Sequence, residues 1–450
     1  MDVRASEPLA AEQTIDRPAP FAAWWAVAVL LLFYIFSTID RSIITMMVQP
    51  LERDLHVTDF QISLLQGPAF GVFYVICGLP MGWLVDRFPR RLICAAGVVV
   101  WGVATSFCGA AANVAQLAVG RMGVGVGESV LTPAAHSMIA EQFPPRRLAT
   151  AMSIYTLGSV LGFGISLATG GEVVHLVTHM PPVRLPLLGM VRAWQLAFLM
   201  VGLPTLLITP LVFTLRERRV RAKGARSAPS AAEIEAEAAR RLEASAFFRR
   251  NWRLVLGLPF AFGLLNVLCQ AYTAWTPTFM IRGFGWNSAQ AGLAFGAIMV
   301  FGGVAGQMFA AVCIDGLYGR GVKNAHVLYP IVALALSIPC VIGAFLCGQP
   351  QLFLVLIAVF FTLTYPFVGY AAAALQLFAP AAARGRVSAV FLAIVTLIGT
   401  AFGPTLPAWL NDHAFHGRLG VSLALTSAVV APLVALALWR AGGVMKAMAA

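Results

Sequence analysis

The stretch FSTIDRSII, residues 36–44, sets Asp40 and Arg41 side by side inside an apolar run that begins at Trp24. Further along, Arg121 and Glu128 stand seven residues apart, with Gly123, Gly125 and Gly127 between them. An ionised side chain at the centre of a membrane helix costs about 2.5–3.5 kcal/mol on insertion scales, so charges kept there serve ion pairing, proton exchange or capture of a charged ligand. These four charges sum to zero. Neighbours on a helix point about 100° apart, so Asp40 and Arg41 are not each other's main partner. Arg121 and Glu128 share a face but lie two turns apart. Each acid is therefore expected to find its base on the other helix, with the glycine run letting the two helices pack closely. Glu128 and Asp40 are the candidate proton carriers, because a carboxylate beside arginine stays ionised and one that loses that partner takes up a proton. Arg41 and Arg121 are candidate ligands for a substrate phosphate or carboxylate, whose geometry a guanidinium matches. The alternative is a fixed ion-pair staple between helices, with Arg41 reaching toward the headgroups.

The elements that must hold these charges are membrane helices. The 450 residues are 59% hydrophobic and 11% charged, with a mean hydropathy of +0.82; a soluble domain is roughly a quarter charged. Crossing a bilayer takes roughly 20 apolar residues, and many such runs occur. They lack the alternation of a membrane β-barrel. The chain before Pro20 is polar and lacks a signal-peptide order of regions, so the first apolar run is expected to be retained. The seven cysteines (Cys77, Cys94, Cys108, Cys269, Cys313, Cys340 and Cys347) lie in apolar runs without a CxxC or a Cys/His cluster. They read as small buried residues rather than disulfides, nucleophiles or metal ligands. No HExxH, GxSxG or Walker A pattern occurs, which argues against an intramembrane hydrolase and against ATP-driven pumping. The chain is expected not to be an enzyme and to hold no metal and no cofactor, with protons as the coupling ion.

Twelve transmembrane segments are predicted: 24–49, 60–84, 91–111, 114–140, 149–171, 194–215, 253–280, 289–314, 325–347, 351–378, 387–409 and 420–440. With the N-terminus in the cytoplasm, 24 of the 31 Lys and Arg residues fall on the inside, 5 outside and 2 within segments. The positive-inside rule then puts both termini in the cytoplasm, and the net charge of +12 reflects topology and contact with anionic lipid rather than nucleic acid. The expected organisation is a cytoplasmic tail at 1–23, a six-helix bundle at 24–215, a cytoplasmic linker at 216–252, a second bundle at 253–441 and a tail at 442–450. In the linker, Ser230 and Glu233 form a capping-box pattern, Glu237 and Arg241 an i,i+4 pair. Phe247 and Phe248 beside Arg249 and Arg250 suggest a helix end resting on the membrane surface. The halves resemble each other: EQFPPRRLATAMS enters a helix carrying Gly158, Gly162 and Gly164, and LFAPAAARGRVSA enters one carrying Gly399, Gly403 and Pro404. Parallel six-helix repeats suit rocking of one bundle against the other.

The turn GWLVDRFPRR, residues 82–91, resembles the loop motif of the major facilitator superfamily, matching it at Gly82, Leu84, Asp86, Arg87, Arg90 and Arg91 and departing from it at Pro89. A degenerate second copy at 306–321 keeps Asp315 and Arg320. The resemblance implies the all-α major facilitator fold of a polytopic membrane protein, and a conformational latch in which Asp86 meets Arg side chains or a helix N-terminus. The Asp40-Arg41 pair, the run from Arg121 to Glu128 and the element Pro133-Ala134-Ala135 resemble the Spinster family more narrowly. That implies movement of lysophospholipids or sphingoid phosphates, proton-linked in several members.

The last six segments carry no mid-membrane charge. Among their polar residues, Asn266, Gln270 and Tyr365 are the candidate substrate contacts, giving a cavity charged on one wall and apolar-aromatic on the other, suited to an amphipathic ligand. The expected function is proton-coupled alternating-access transport of such a lipid-like substrate by a monomer in the cell membrane of a bacterium, the inner membrane. Its partners would be that substrate and membrane lipids, with no nucleic acid. Proton-linked transport of small organic anions, multidrug export and passive scrambling are the competing readings.

Overall fold

The structure, a computed structural model, describes residues 20–180, 183–186, 189–216, 235, 242–243, 245–376, 379–380 and 383–449. Among these, eleven helices are long and apolar enough to cross a membrane: Phe21–Met46, Asp59–Val85, Arg90–Ala110, Thr150–His179, Ala193–Thr214, Trp252–Phe284, Ser288–Gly319, Ala325–Leu346, Pro350–Ala371, Arg386–His413 and Leu419–Met445. They correspond to predicted segments one to three and five to twelve. The fifth reaches eight residues further than its predicted end at 171. The fourth is not one continuous helix. It is Val114–Glu128 followed by Leu131–Gln142, because Pro133 has no N–H to donate to the carbonyl of Ser129.

The first segment buries Ala23, Ala26, Val27, Leu30, Phe33, Ser37, Asp40 and Ile44, a stripe at three- and four-residue spacing that faces its neighbours. Asp40 lies on that stripe, so Arg41, about 100° further round, faces away from it. Caps start the second and eighth segments alike. Thr58 Oγ1 accepts from Gln61 N at 3.3 Å while Thr58 N donates to Gln61 Oε1 at 3.1 Å. Asn287 and Gln290 repeat the exchange at 2.8 and 3.2 Å. Each exchange satisfies two free N–H groups of a helix start.

The repeat seen in sequence has a packing counterpart. Gly158 and Gly162 of the fifth segment lie against Leu31, Tyr34 and Thr38 of the first. Gly399 and Gly403 of the eleventh lie against Asn266 and Gln270 of the seventh. A short antiparallel hairpin, β1 (Val183–Leu185) and β2 (Gly189–Val191), marks one end of the molecule, here the hairpin end. One buried cluster joins the last six segments to the hairpin-end residues of the first six, including Ile43, Met47, Leu51, Ile62 and Leu167. The opposite end of the first six segments forms a separate cluster around Phe33, Trp101 and Ile139. The two sets of helices thus share a core at the hairpin end. Phe247 and Phe248 lie half-buried against the larger cluster. Ser230, Glu233, Glu237 and Arg241 lie outside the described residues.

Close backbone contact holds the halves together at the hairpin end. A methyl group on Gly292 would sit 2.1 Å from the carbonyl oxygen of Leu167, and backbone cannot yield as a flexible side chain can. Spin labels at Thr178 and Asn287 are therefore expected to move apart in Gly292→Ala. Gly257→Ala, with nothing within 4 Å of the added carbon, is expected to leave that distance unchanged. Equal distances in both variants would remove this contact as the pivot between halves.

Candidate functional site

The four intramembrane charges meet crosswise. Asp40, fully buried, takes Trp101 Nε1 at 2.7 Å and the Thr105 hydroxyl on its Oδ2. Arg121 Nη1 donates to its Oδ1 at 3.5 Å and to its backbone carbonyl at 3.3 Å. Arg121 is fully buried too, and its Nε donates to the Leu65 carbonyl at 3.4 Å. Glu128, also fully buried, accepts from Ser37 Oγ at 2.8 Å and from Arg41 Nε on the same oxygen, Oε2. Its Oε1 and Arg121 Nη2 have no hydrogen-bond partner among the described residues.

The two pairs differ in their access to water. Both members of Asp40–Arg121 are buried, whereas the Arg41 side chain is 32% exposed. Arg41 lies over two stacked rings of the second segment, with its guanidinium carbon 4.9 Å from the Phe70 centroid and 4.8 Å from that of Tyr74. Arg121 lies 5.5 Å from the same Phe70 ring. A ring face favours a cation while leaving its N–H groups free to bind elsewhere.

The glycines between Arg121 and Glu128 do not pack on the first segment as expected. Gly123 and Gly127 fit against Ala104, Gly97 and Trp101 of the third, and Gly125 against Phe70 and Tyr74 of the second. Residues 121–128 are thereby held between those two helices, and long side chains span the remaining gap to the first. Ser37, Phe70, Tyr74, Trp101 and Thr105 complete the network. Sequence reasoning misses them because a lone aromatic or hydroxyl in a membrane helix is ordinary; Ser37 alone had a signal, three residues before Asp40 on the same stripe.

A central cavity of about 290 Å³ opens between the first and last six segments. Arg41, Arg121, Asn266, Gln270 and Tyr365 all line it, together with Gln66, Phe70 and Tyr74. Asn266 Nδ2 donates to the Val395 carbonyl at 3.0 Å. The far wall is richer in hydrogen-bonding groups than the expected apolar-aromatic surface, since Thr273, Thr396 and Thr400 join the amides. Asp40 and Glu128 stand behind Arg121 and Arg41 rather than on the cavity surface. The cavity can therefore present two guanidinium groups to an anion, each backed by its own carboxylate.

The candidate latch lies at the end opposite the hairpin. Arg87 stacks on Trp83, 5.2 Å from its centroid, and Arg90 pairs with Glu141. A methyl group on Gly82 would meet nothing within 4 Å. The Asp86 side chain lies outside the described residues.

At the hairpin end a second charged cluster joins the halves. Arg282, closing the seventh segment, donates to Asp59 Oδ2 at 2.7 Å and Oδ1 at 2.8 Å, and also to Glu52. Asn411 Nδ2 donates to Asp59 Oδ2 at 2.7 Å, and Asp412 Oδ2 accepts from Phe60 N at 2.8 Å. Burial pushes the Glu52 carboxyl up to about 7; its hydrogen bond to Asp59 adds to this and Arg282 opposes it.

The Major Facilitator Superfamily matches residues 30–404. An MFS-type efflux pump of Mycolicibacterium smegmatis is 27% identical over 443 residues, 97% of each chain. A probable L-galactonate transporter of Escherichia coli is 23% identical over 326 residues, 70% of this chain and 67% of that protein. A crystal structure of a bacterial homologue of the human lysosomal transporter Spinster, inward-facing and unoccupied, superposes with a TM-score of 0.77 at 21% identity, over 96% of this chain and 99% of that one. With this fold, and with a match that runs from the first segment into the eleventh, the chain belongs to the Major Facilitator Superfamily and resembles its Spinster transporters.

Proposed function

We propose that this protein is a proton-coupled transporter working by alternating access, with a substrate whose anionic head enters the central cavity. The observation that carries this reading is the crosswise pairing of four intramembrane charges, with Arg41 and Arg121 on the cavity wall and Glu128 and Asp40 behind them. Counting the broken fourth segment as one crossing makes twelve in this reading, and the basic-residue bias supports both termini in the cytoplasm, with a bacterial inner membrane as the proposed location. The hairpin end becomes the outer face. Its shared core and charged cluster make the present arrangement one closed outward.

Protonation of Glu128 removes the charge that holds Arg41, and Arg41 then turns to the substrate's anionic group. Deprotonation on the other side restores the pair and expels the anion. Proton and substrate thus act on the same salt bridge, which is what links their movements. Asp40 holds Arg121 for the same purpose in a drier setting. Asp86, Arg87, Arg90 and Arg91 would latch the cytoplasmic ends when that side closes.

An amphipathic, lipid-like anion fits the resemblance to Spinster transporters. A small hydroxylated organic anion is favoured by the cavity's modest volume and hydroxyl- and amide-lined wall, and agrees with the galactonate relative. Proteoliposome uptake under an imposed proton gradient tests both, with labelled lysophosphatidylglycerol and labelled gluconate, measured in each direction because one relative is named an efflux pump. The gradient is expected to speed movement of one of them in the parent, and Glu128→Gln to abolish that acceleration. Gradient-independent movement at equal rates in parent and variant would leave the charges as a staple and end the coupled reading.

A further inference from the structure

Three buried polar atoms on the cavity wall lack any partner among the described residues: Arg121 Nη2 and both amide atoms of Gln66, Oε1 and Nε2. Arg121 is fully buried and its other donors are occupied by Asp40 and Leu65. A buried donor or acceptor left unmet carries a desolvation penalty of about 1–3 kcal/mol. Three together in one cavity mark a place where a ligand supplies the missing partners.

Their chemistry constrains that ligand. Arg121 Nη2 and Gln66 Nε2 donate, so each needs an acceptor. Gln66 Oε1 accepts, so it needs an O–H or N–H. A bare carboxylate or phosphate satisfies the two donors and leaves Oε1 orphaned. A ligand with a hydroxyl beside its anionic group satisfies all three. The groups are close: Arg121 Nε reaches the carbonyl of Leu65, the residue before Gln66. Phe70, one turn on from Gln66, lies under the Arg121 guanidinium. Across the cavity, Gln270 and Thr400 supply further groups for hydroxyls.

We propose that Arg121 and Gln66 form the head-group subsite of this cavity and select anions carrying a hydroxyl donor next to the charge. The proposal rests on the transporter reading of the cavity and names its ligand chemistry. Arg41, already held by Glu128, belongs to the coupling pair, while Gln66 reads the hydroxyl. Such chemistry exists both in free polyhydroxy carboxylates and in the heads of hydroxylated lysophospholipids.

Equilibrium binding to purified protein in detergent, without any gradient, separates this proposal from proton coupling. Two probe pairs differ in their hydroxyls: gluconate against hexanoate, and lysophosphatidylglycerol against dodecyl phosphate. In at least one pair the hydroxylated member is expected to bind at least tenfold more tightly to the parent, since a site built to hydrogen-bond a hydroxyl rejects the analogue lacking it. The pair showing the preference identifies the source. Gln66→Leu is expected to lose about tenfold for that hydroxylated probe while binding its partner as the parent does, which also shows that the variant is folded. Equal binding of both members of each pair to the parent overturns the proposal. So does an equal loss for both members in Gln66→Leu, or the absence of binding by all four probes at millimolar concentration.

Discussion

Asp40→Asn is expected to lower the free energy of unfolding by about 3–5 kcal/mol, the penalty for removing one partner of a buried ion pair, and to abolish transport. Asparagine keeps the shape and can still accept from Trp101 and Thr105. What it removes is the charge opposite Arg121, whose guanidinium is fully buried at the edge of the cavity in this arrangement. The energetic loss is therefore the uncompensated guanidinium rather than a cavity or a missing hydrogen bond. This leads to a cycle: Asp40→Asn combined with Arg121→Gln is expected to recover much of the stability, since neutralising both members of a buried pair is often close to neutral. Transport stays absent in the double variant if the pair belongs to the machinery. Arg41→Gln is expected to be far milder in stability, because the Arg41 side chain is 32% exposed and its loss leaves Glu128 with Ser37 and a path for protonation. Thermal unfolding in detergent of the parent, Asp40→Asn, Arg121→Gln and the double variant reads the cycle, with Arg41→Gln measured alongside. An Asp40→Asn protein as stable as the parent would mean that the pair carries no net interaction.

These two pairs also show what the sequence makes legible. The apolar runs are long enough that composition alone finds eleven of the helices close to their ends. The crosswise pairing follows from helical period: 100° between Asp40 and Arg41, two turns between Arg121 and Glu128. The break at Ser129 is written in Pro133 but is masked by the apolar run continuing through it. The packing of Gly123, Gly125 and Gly127 is not legible, because a small residue invites close approach without saying which neighbour takes it. Phe70 and Gln66 become visible only once the second segment is folded against Arg121. The Glu52–Asp59–Arg282–Asn411 cluster is the extreme case. Its members are up to 359 positions apart and no local spacing links them; only the meeting of the two halves does.

The same cluster sets the balance between the two faces of the transporter, and Arg282→Ala is expected to shift it by more than tenfold toward the state open at the hairpin end. Among the described residues Arg282 is the one cation in contact with both Glu52 and Asp59, and without it two carboxylates and the Asn411 amide face one another across the halves. An interaction worth about 1.4 kcal/mol already changes a two-state ratio tenfold, and a partly buried bidentate arginine pair exceeds that. The direction of the pH effect follows from Glu52. In the closed arrangement its carboxyl titrates near 7; once the halves part and water reaches it, it returns to the ordinary carboxylate range near 4.3. Closing therefore takes up a proton. The contribution of Glu52 to the closed state is fullest below about pH 4.3, is lost as pH rises towards 7, and is absent above it. Arg53 and Asp54 beside Glu52, His56 capping the same helix with its N–H on the Glu52 carbonyl, Arg192 bonded to the Asp54 carbonyl, and Asp412 and His413 near Phe60 are further charged or titratable groups there. Spin-label distances across the hairpin end, followed from pH 5 to 8, are expected to lengthen in the parent. In Glu52→Gln, which keeps a neutral side chain on Asp59 at every pH, they are expected to stay short. A Glu52→Gln protein that opens with pH as the parent does would assign the transition to the buried pairs instead, and would make the hairpin-end cluster a passive strut.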